Sequence, residues 1–136
     1  MRIAVVSAPS LRRSPPDYIT ALAKGMESMG HSVELIDAWT DNGLRLGDCE
    51  YIAIVTEPVS FFSEMIPEIV VKILSAGSGL GGKKSAAFVK RAGLRSGKTL
   101  VNLMKAMEKE GMMINWSDIL FNAPHAEAMG KQIGSG

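Results

Sequence analysis

Tyr51-Ile52-Ala53-Ile54-Val55-Thr56 is apolar at its first five positions and shows no apolar–polar alternation. A strand written this way must be covered on both faces, as in the interior of a parallel sheet. This stretch therefore belongs at the centre of such a sheet. Working upstream, Arg2 to Ser7 (RIAVVS) is a second continuous run of the same kind. Between the two, Ile19, Leu22, Ala23, Met26 and Met29 recur at helical spacing, and Gly30 supplies the stop. Ser14 is expected to cap that helix, with Pro15 at its first position and Asp17 three residues on. His31 to Asp37 alternates through Val33 and Leu35 and reads as a half-covered strand. Residues 38–50 read as a loop in which Trp39 and Leu44 cover a sheet face.

Downstream, Ile66, Ile69, Val70, Ile73 and Leu74 form an apolar stripe, with Pro67 tolerable in the first turn and an end at Gly77. Lys84 to Lys90 reads as a fourth strand. Leu100, Leu103, Met104 and Met107 mark the next helix, closed by Gly111. A short strand, Met112 to Trp116, and a last helix from Ala126 to Ile133 follow, and the Gly134-Ser135-Gly136 end is expected to fray. Strands alternating with helices imply right-handed crossovers and a parallel sheet covered on both sides. Five strands in 136 residues fit a single flavodoxin-like α/β domain, residues 1–136, with strand order 2-1-3-4-5. Ligands of such sheets sit beyond the carboxyl ends of the strands, at the switch point between the first and third. Three loops meet there: Ser7–Asp17, Glu57–Ser63 and Arg91–Lys98.

Composition narrows the function classes. Fifteen basic against 14 acidic residues leave a formal charge of +1, with no field of one sign to draw nucleic acid or an anionic membrane surface. No apolar run approaches the roughly 18 residues of a membrane span, and a cytoplasmic, reducing setting is the expectation. Cys49 is alone, which excludes an intramolecular disulfide and any metal site built from several cysteines, and it reads as a small buried hydrophobe. His31 falls at the end of its strand away from the loop crest, and His125 has no nameable ligand partner. No nucleophile elbow, metal-spaced histidine pair or acid–base pair is present, so no catalytic residue is assigned and any chemistry must come from a cofactor.

Within the first loop, Ser10 and Ser14 bring hydroxyls and Arg12 and Arg13 bring guanidiniums to a strand-to-helix turn, a place suited to a phosphate-bearing small molecule. Gly77 to Gly82 superficially matches a dinucleotide fingerprint, but it follows a helix and precedes a strand, so it reads as a return loop. Ala92 to Thr99 matches a nucleotide-binding Walker A loop in its strand-to-helix context. It has Ala for the first Gly, follows the fourth strand, and lacks a strong strand ending in a magnesium-binding Asp after it. On the plainer reading Ser96 caps the helix and Lys98 is solvated.

These residues also carry a resemblance. Ser10 to Ser14 (SLRRS) resembles the phosphate loop of the NAD(P)H-dependent FMN reductases and of the related iron–sulfur flavoproteins, whose cluster cysteines this chain lacks. Thr56 to Val70 (TEPVSFFSEMIPEIV) is similar to their second loop and its helix, and GGKKSAAFV at 81–89 and AEAMGKQIG at 126–134 look like later elements. The resemblance implies a small FMN-binding flavoprotein that passes electrons or hydride from a nicotinamide or a partner protein. It puts Ser10, Arg12 and Ser14 on the FMN phosphate, with Arg13 in support. Pro58, Val59, Ser60 and Phe61 would line the ring and ribityl chain, and the Gly93–Gly97 loop, Ser96 included, would lie along the other side. The family's reductases often dimerise over the flavin, a use that suits Phe61 and Phe62. The chain departs from the pattern at Pro9, Pro15, Pro16 and Glu57, and its loop is one residue shorter between Arg12 and Ser14. The first three departures remove backbone donors and the fourth adds negative charge. The alternative they define is a flavodoxin-like protein with a degenerate flavin site, acting as a non-catalytic binding or interaction module.

Overall fold

The computed structural model describes residues 1–133; the expectation for Gly134–Gly136 lies outside the described residues. The chain runs β1 (Arg2–Ala8), α1 (Asp17–Ser28), β2 (Ser32–Asp37), a 3-10 turn (Leu46–Asp48), β3 (Tyr51–Thr56), α2 (Glu68–Ala76), β4 (Lys84–Lys90), α3 (Ser96–Lys109), β5 (Met113–Leu120) and α4 (Ala123–Gln132). All four strand pairings are parallel and the order is β2-β1-β3-β4-β5. β3 is buried at every residue, which is what its unbroken apolar run requires.

Because side chains alternate across a strand, each central strand feeds two cores. Ala4, Val6, Ile52, Ile54 and Ala87 pack with Val70, Ile73 and Leu103 beneath α2 and α3. Ile3, Val5, Ala53, Val55 and Phe88 pack with Ile19, Leu22 and Ala126 beneath α1 and α4. These last two helices touch backbone to backbone: a Cβ on Gly25 would stand 2.1 Å from the Glu127 carbonyl oxygen, and one on Gly130 2.2 Å from that of Leu22. Glycine at both positions lets α1 seat closely, and that seat sets where its first turn emerges at the loop crest.

Three local expectations are corrected. Ser14 does not cap α1; Pro16 does, in extended conformation (φ −61°, ψ 160°), without a side-chain cap. A residue preceding proline is disfavoured in the helical region, so Pro16 works against a helical Pro15, and the helix begins at Asp17. β5 runs on to Leu120, four paired residues beyond the expected end at Trp116, because a register shift opposite Ser85/Ala86 interrupts the alternation that would have revealed it. Leu44 is exposed rather than lying on a sheet face, whereas Trp39 does pack against the core and donates its indole N–H to the Pro9 carbonyl at 2.9 Å. Gly30 (φ 90°) and Gly111 (φ 81°) end their helices in the left-handed conformation, as expected. Among the described residues no helix is long and apolar enough to cross a membrane.

Candidate functional site

β1 and β3 lie side by side with Ser7 opposite Val55 and Ala8 opposite Thr56. The Thr56 hydroxyl donates to the Ala8 carbonyl at 2.6 Å and ties the two strand ends together. The next residue on β3, Glu57, is thereby delivered to the turn that follows β1. There its carboxylate accepts from the Ser10 hydroxyl at 2.5 Å, the Tyr18 phenol at 2.9 Å and Arg13 Nη2 at 2.8 Å, with Arg13 Nη1 at 3.4 Å. The Glu57 side chain is 14% exposed against 42% for Arg13.

The electrostatics follow from that burial and those donors. Desolvation pushes the Glu57 carboxyl up, but the hydrogen bonds from Arg13, Ser10 and Tyr18 and the Arg13 charge outweigh it and hold the group below the usual carboxylate range. Burial, then the Glu57 charge and hydrogen bond, push the Tyr18 hydroxyl well above its ordinary value, so it stays a protonated donor. The Glu57 hydrogen bond raises Arg13, which is charged in any case.

The same middle loop reaches the turn after β4. Glu64 meets Arg95 at 3.1 Å and Lys98 at 3.9 Å, and its carbonyl accepts from the Asn102 amide at 2.9 Å. Leu94 N–H donates to the Phe61 carbonyl at 3.2 Å. Gly93, at φ +71°, lies so close that a Cβ there would stand 1.9 Å from the Phe61 oxygen. Only glycine allows that approach.

Of the expected site residues, Ser10 and Arg13 come together, on Glu57. Arg12 and Ser14 are exposed and make no hydrogen bond or ion pair among the described residues. Pro58 is buried, while Val59, Ser60 and Phe61 are exposed. Gly93 meets Phe61 directly. Ser96 does not cap α3 either, since Arg95 holds that position. The Ser96 hydroxyl is committed to its own turn, donating to the Ala92 carbonyl at 3.1 Å and accepting from the Ala92 N–H at 3.0 Å. A cavity of about 760 Å³ opens beside the first turn, lined by Ser10, Trp39, Val59, Pro67, Ile69 and Lys72. A second, of about 290 Å³, lies between Arg91, Gly93, Ser96 and Phe121.

Sequence reasoning missed Tyr18 as a site residue and missed that Glu57 is engaged by the first loop rather than merely near it. A signal existed: an acid directly after the central strand, with an arginine pair following the strand beside it, is a candidate ion pair once the strand order is known. Nothing in spacing alone pointed to Tyr18.

No protein-family model and no curated protein sequence matches the chain. Solved structures do. A flavodoxin from the domain Archaea superposes with a TM-score of 0.73 at 20% identity, covering 98% of this chain and 96% of that one. The two-electron reduced flavodoxin of Megasphaera elsdenii gives 0.72 at 17% identity, with 95% and 96% covered. General stress protein 14 of Treponema denticola, solved in complex with FMN, gives 0.57 at 11% identity, with 96% and 91% covered. At these identities the likeness shows the fold, which is flavodoxin-like from end to end.

Proposed function

We propose that the protein is a small flavin-binding protein of the flavodoxin type, acting in electron or hydride transfer. The observation that carries the proposal is the meeting of the loops after β1, β3 and β4 at the switch point, with Val59 and Phe61 exposed and apolar where a flavin ring would rest. Support also comes from a fold shared over nearly its whole length with single-domain flavodoxins. At the ring end the exposed apolar side chains of Val59 and Phe61 support a flavin. The phosphate end does not, because Glu57 already takes the donors of Ser10, Arg13 and Tyr18, and Pro9, Pro15 and Pro16 offer no backbone N–H. A bound flavin would supply the redox chemistry; the chain's own part is to hold the ring against the Val59–Phe61 segment and limit its contact with water. The donor belongs to the nicotinamide or protein class, the setting is cytoplasmic, and a homodimer across Phe61 and Phe62 is part of the same reading.

A second reading, a flavodoxin-like interaction module without flavin, is favoured by the direct Gly93–Phe61 contact, which closes the space between the two loops expected to flank the ring. Incubating the purified protein with FMN and, separately, riboflavin, followed by gel filtration and an absorbance spectrum, separates the two. Retention of either flavin is expected; retention of neither sinks the flavin reading in favour of the module.

A further inference from the structure

We propose that Glu57 is a tethered anion that fills the seat a ligand phosphate would take, and that it thereby sets the crest's preference for flavins whose tail carries no phosphate. The proposal rests on the flavin reading for its ligand, but the anion seat itself stands without it.

The donor set argues for a seat. A serine hydroxyl, a phenol and a guanidinium, from the β1–α1 turn and the first turn of α1, converge at 2.5, 2.9 and 2.8 Å on a single carboxylate. All three donate and one carries charge, the set that suits an oxyanion. Their acceptor comes from a different element, delivered across the sheet by the Thr56–Ala8 bond. The carboxylate is mostly buried, and the surrounding hydrogen bonds keep it ionised at neutral pH. Covalent attachment gives it an effective concentration of about millimolar or more. A diffusing phosphate must outcompete it or share Arg13 with it, and two anions on one guanidinium repel each other.

Pro9, Pro15 and Pro16 withhold three backbone N–H groups from the turn that precedes α1, and Arg12 stands apart in solvent. A phosphate-free tail asks for none of these donors. Its hydroxyls can lie along the adjoining cavity, whose wall includes Ser10, Trp39 and Val59.

The experiment measures dissociation constants for FMN and riboflavin, by quenching of flavin fluorescence, on the parent protein and on Glu57→Gln, and tests inorganic phosphate on both by thermal shift. The parent is expected to bind riboflavin at least as tightly as FMN. Glu57→Gln should gain about tenfold or more in FMN affinity, as expected when a charge is removed beside a bound anion, with riboflavin little changed. The variant alone should be stabilised by phosphate. A parent that prefers FMN over riboflavin by tenfold or more overturns the proposal while leaving the flavin reading intact, and this arm needs no variant to fold. An unchanged FMN-to-riboflavin ratio in a folded Glu57→Gln, checked by circular dichroism, also overturns it. If neither protein retains any flavin, the flavin reading fails and phosphate decides: stabilisation of the variant alone upholds the seat, and no response in either protein, or an equal response in both, rejects it.

Discussion

The loop between β3 and α2 hands one carboxylate to each of the turns that flank it. Glu57 goes to the turn after β1 and Glu64 to the turn after β4, and both meet an arginine at about hydrogen-bond distance. The two pairs differ in what surrounds them. Glu57 is 14% exposed and satisfied by two hydroxyls besides Arg13, whereas Glu64 is 43% exposed and faces only long, solvated cations. Formal charge is therefore a poor guide to weight. Burial and the number of fixed donors decide whether a carboxylate belongs to the structure or only decorates it.

The largest expected effect lies on the Glu57 side. Glu57→Ala leaves the buried Tyr18 hydroxyl and Ser10 without their acceptor and should cost about 2–3 kcal/mol, read from urea unfolding at pH 7. A loss below that of Glu64→Ala would erase the distinction between the two turns. Next comes Gly93→Ala. Its left-handed φ and its approach to the Phe61 oxygen should cost about 1–2 kcal/mol, tempered by the freedom of exposed loops to shift. The damage should stay on the β4 side, with the Tyr18 hydroxyl as protected from hydrogen exchange as in the parent. Exchange that rises at both turns would mean the middle loop acts as one unit.

Acid gives a third test of the comparison. A carboxyl held below its ordinary value in the folded state contributes stability that is fully present above its unfolded pKa, about 4.3, and is lost as pH falls through the lower folded value. The stability difference between the parent and Glu57→Gln should therefore shrink as unfolding is measured from pH 7 down to about pH 3. A difference that stays constant would show that the charge contributes nothing. The smallest effect belongs to Glu64→Ala, expected below about 1 kcal/mol and reduced further by salt.

Much of this molecule could be read from the chain. The unbroken apolar run of β3, the helical stripes and the glycines after α1 and α3 all report local demands; alternation pointed to a parallel sheet, and its order matches the flavodoxin-like pattern that five strands in this length fit. The site was legible in part. Ser10 and Arg13 are at the crest as expected, yet Arg12, one residue away and chemically identical to Arg13, is not in the cluster. Spacing along an irregular loop does not say which of two neighbours turns inward. The cap at Ser14 failed for a different reason, since two consecutive prolines constrain the residue before each of them more strongly than a hydroxyl can reward.

By itself the sequence determined the elements and their order, because apolar period, proline and glycine act through residues a few positions apart. It also determined that the first turn would be short of backbone donors, since three prolines lack the N–H wherever they fall. Only the tertiary structure decided what those remaining donors hold. Glu57 lies 47 residues from Ser10 and 44 from Arg13, and nothing but the parallel pairing of β1 with β3 brings them within a hydrogen bond. The loop that reads in sequence as an open anion site thus carries its own anion, and burial makes that one carboxylate matter more than its exposed counterpart at Glu64.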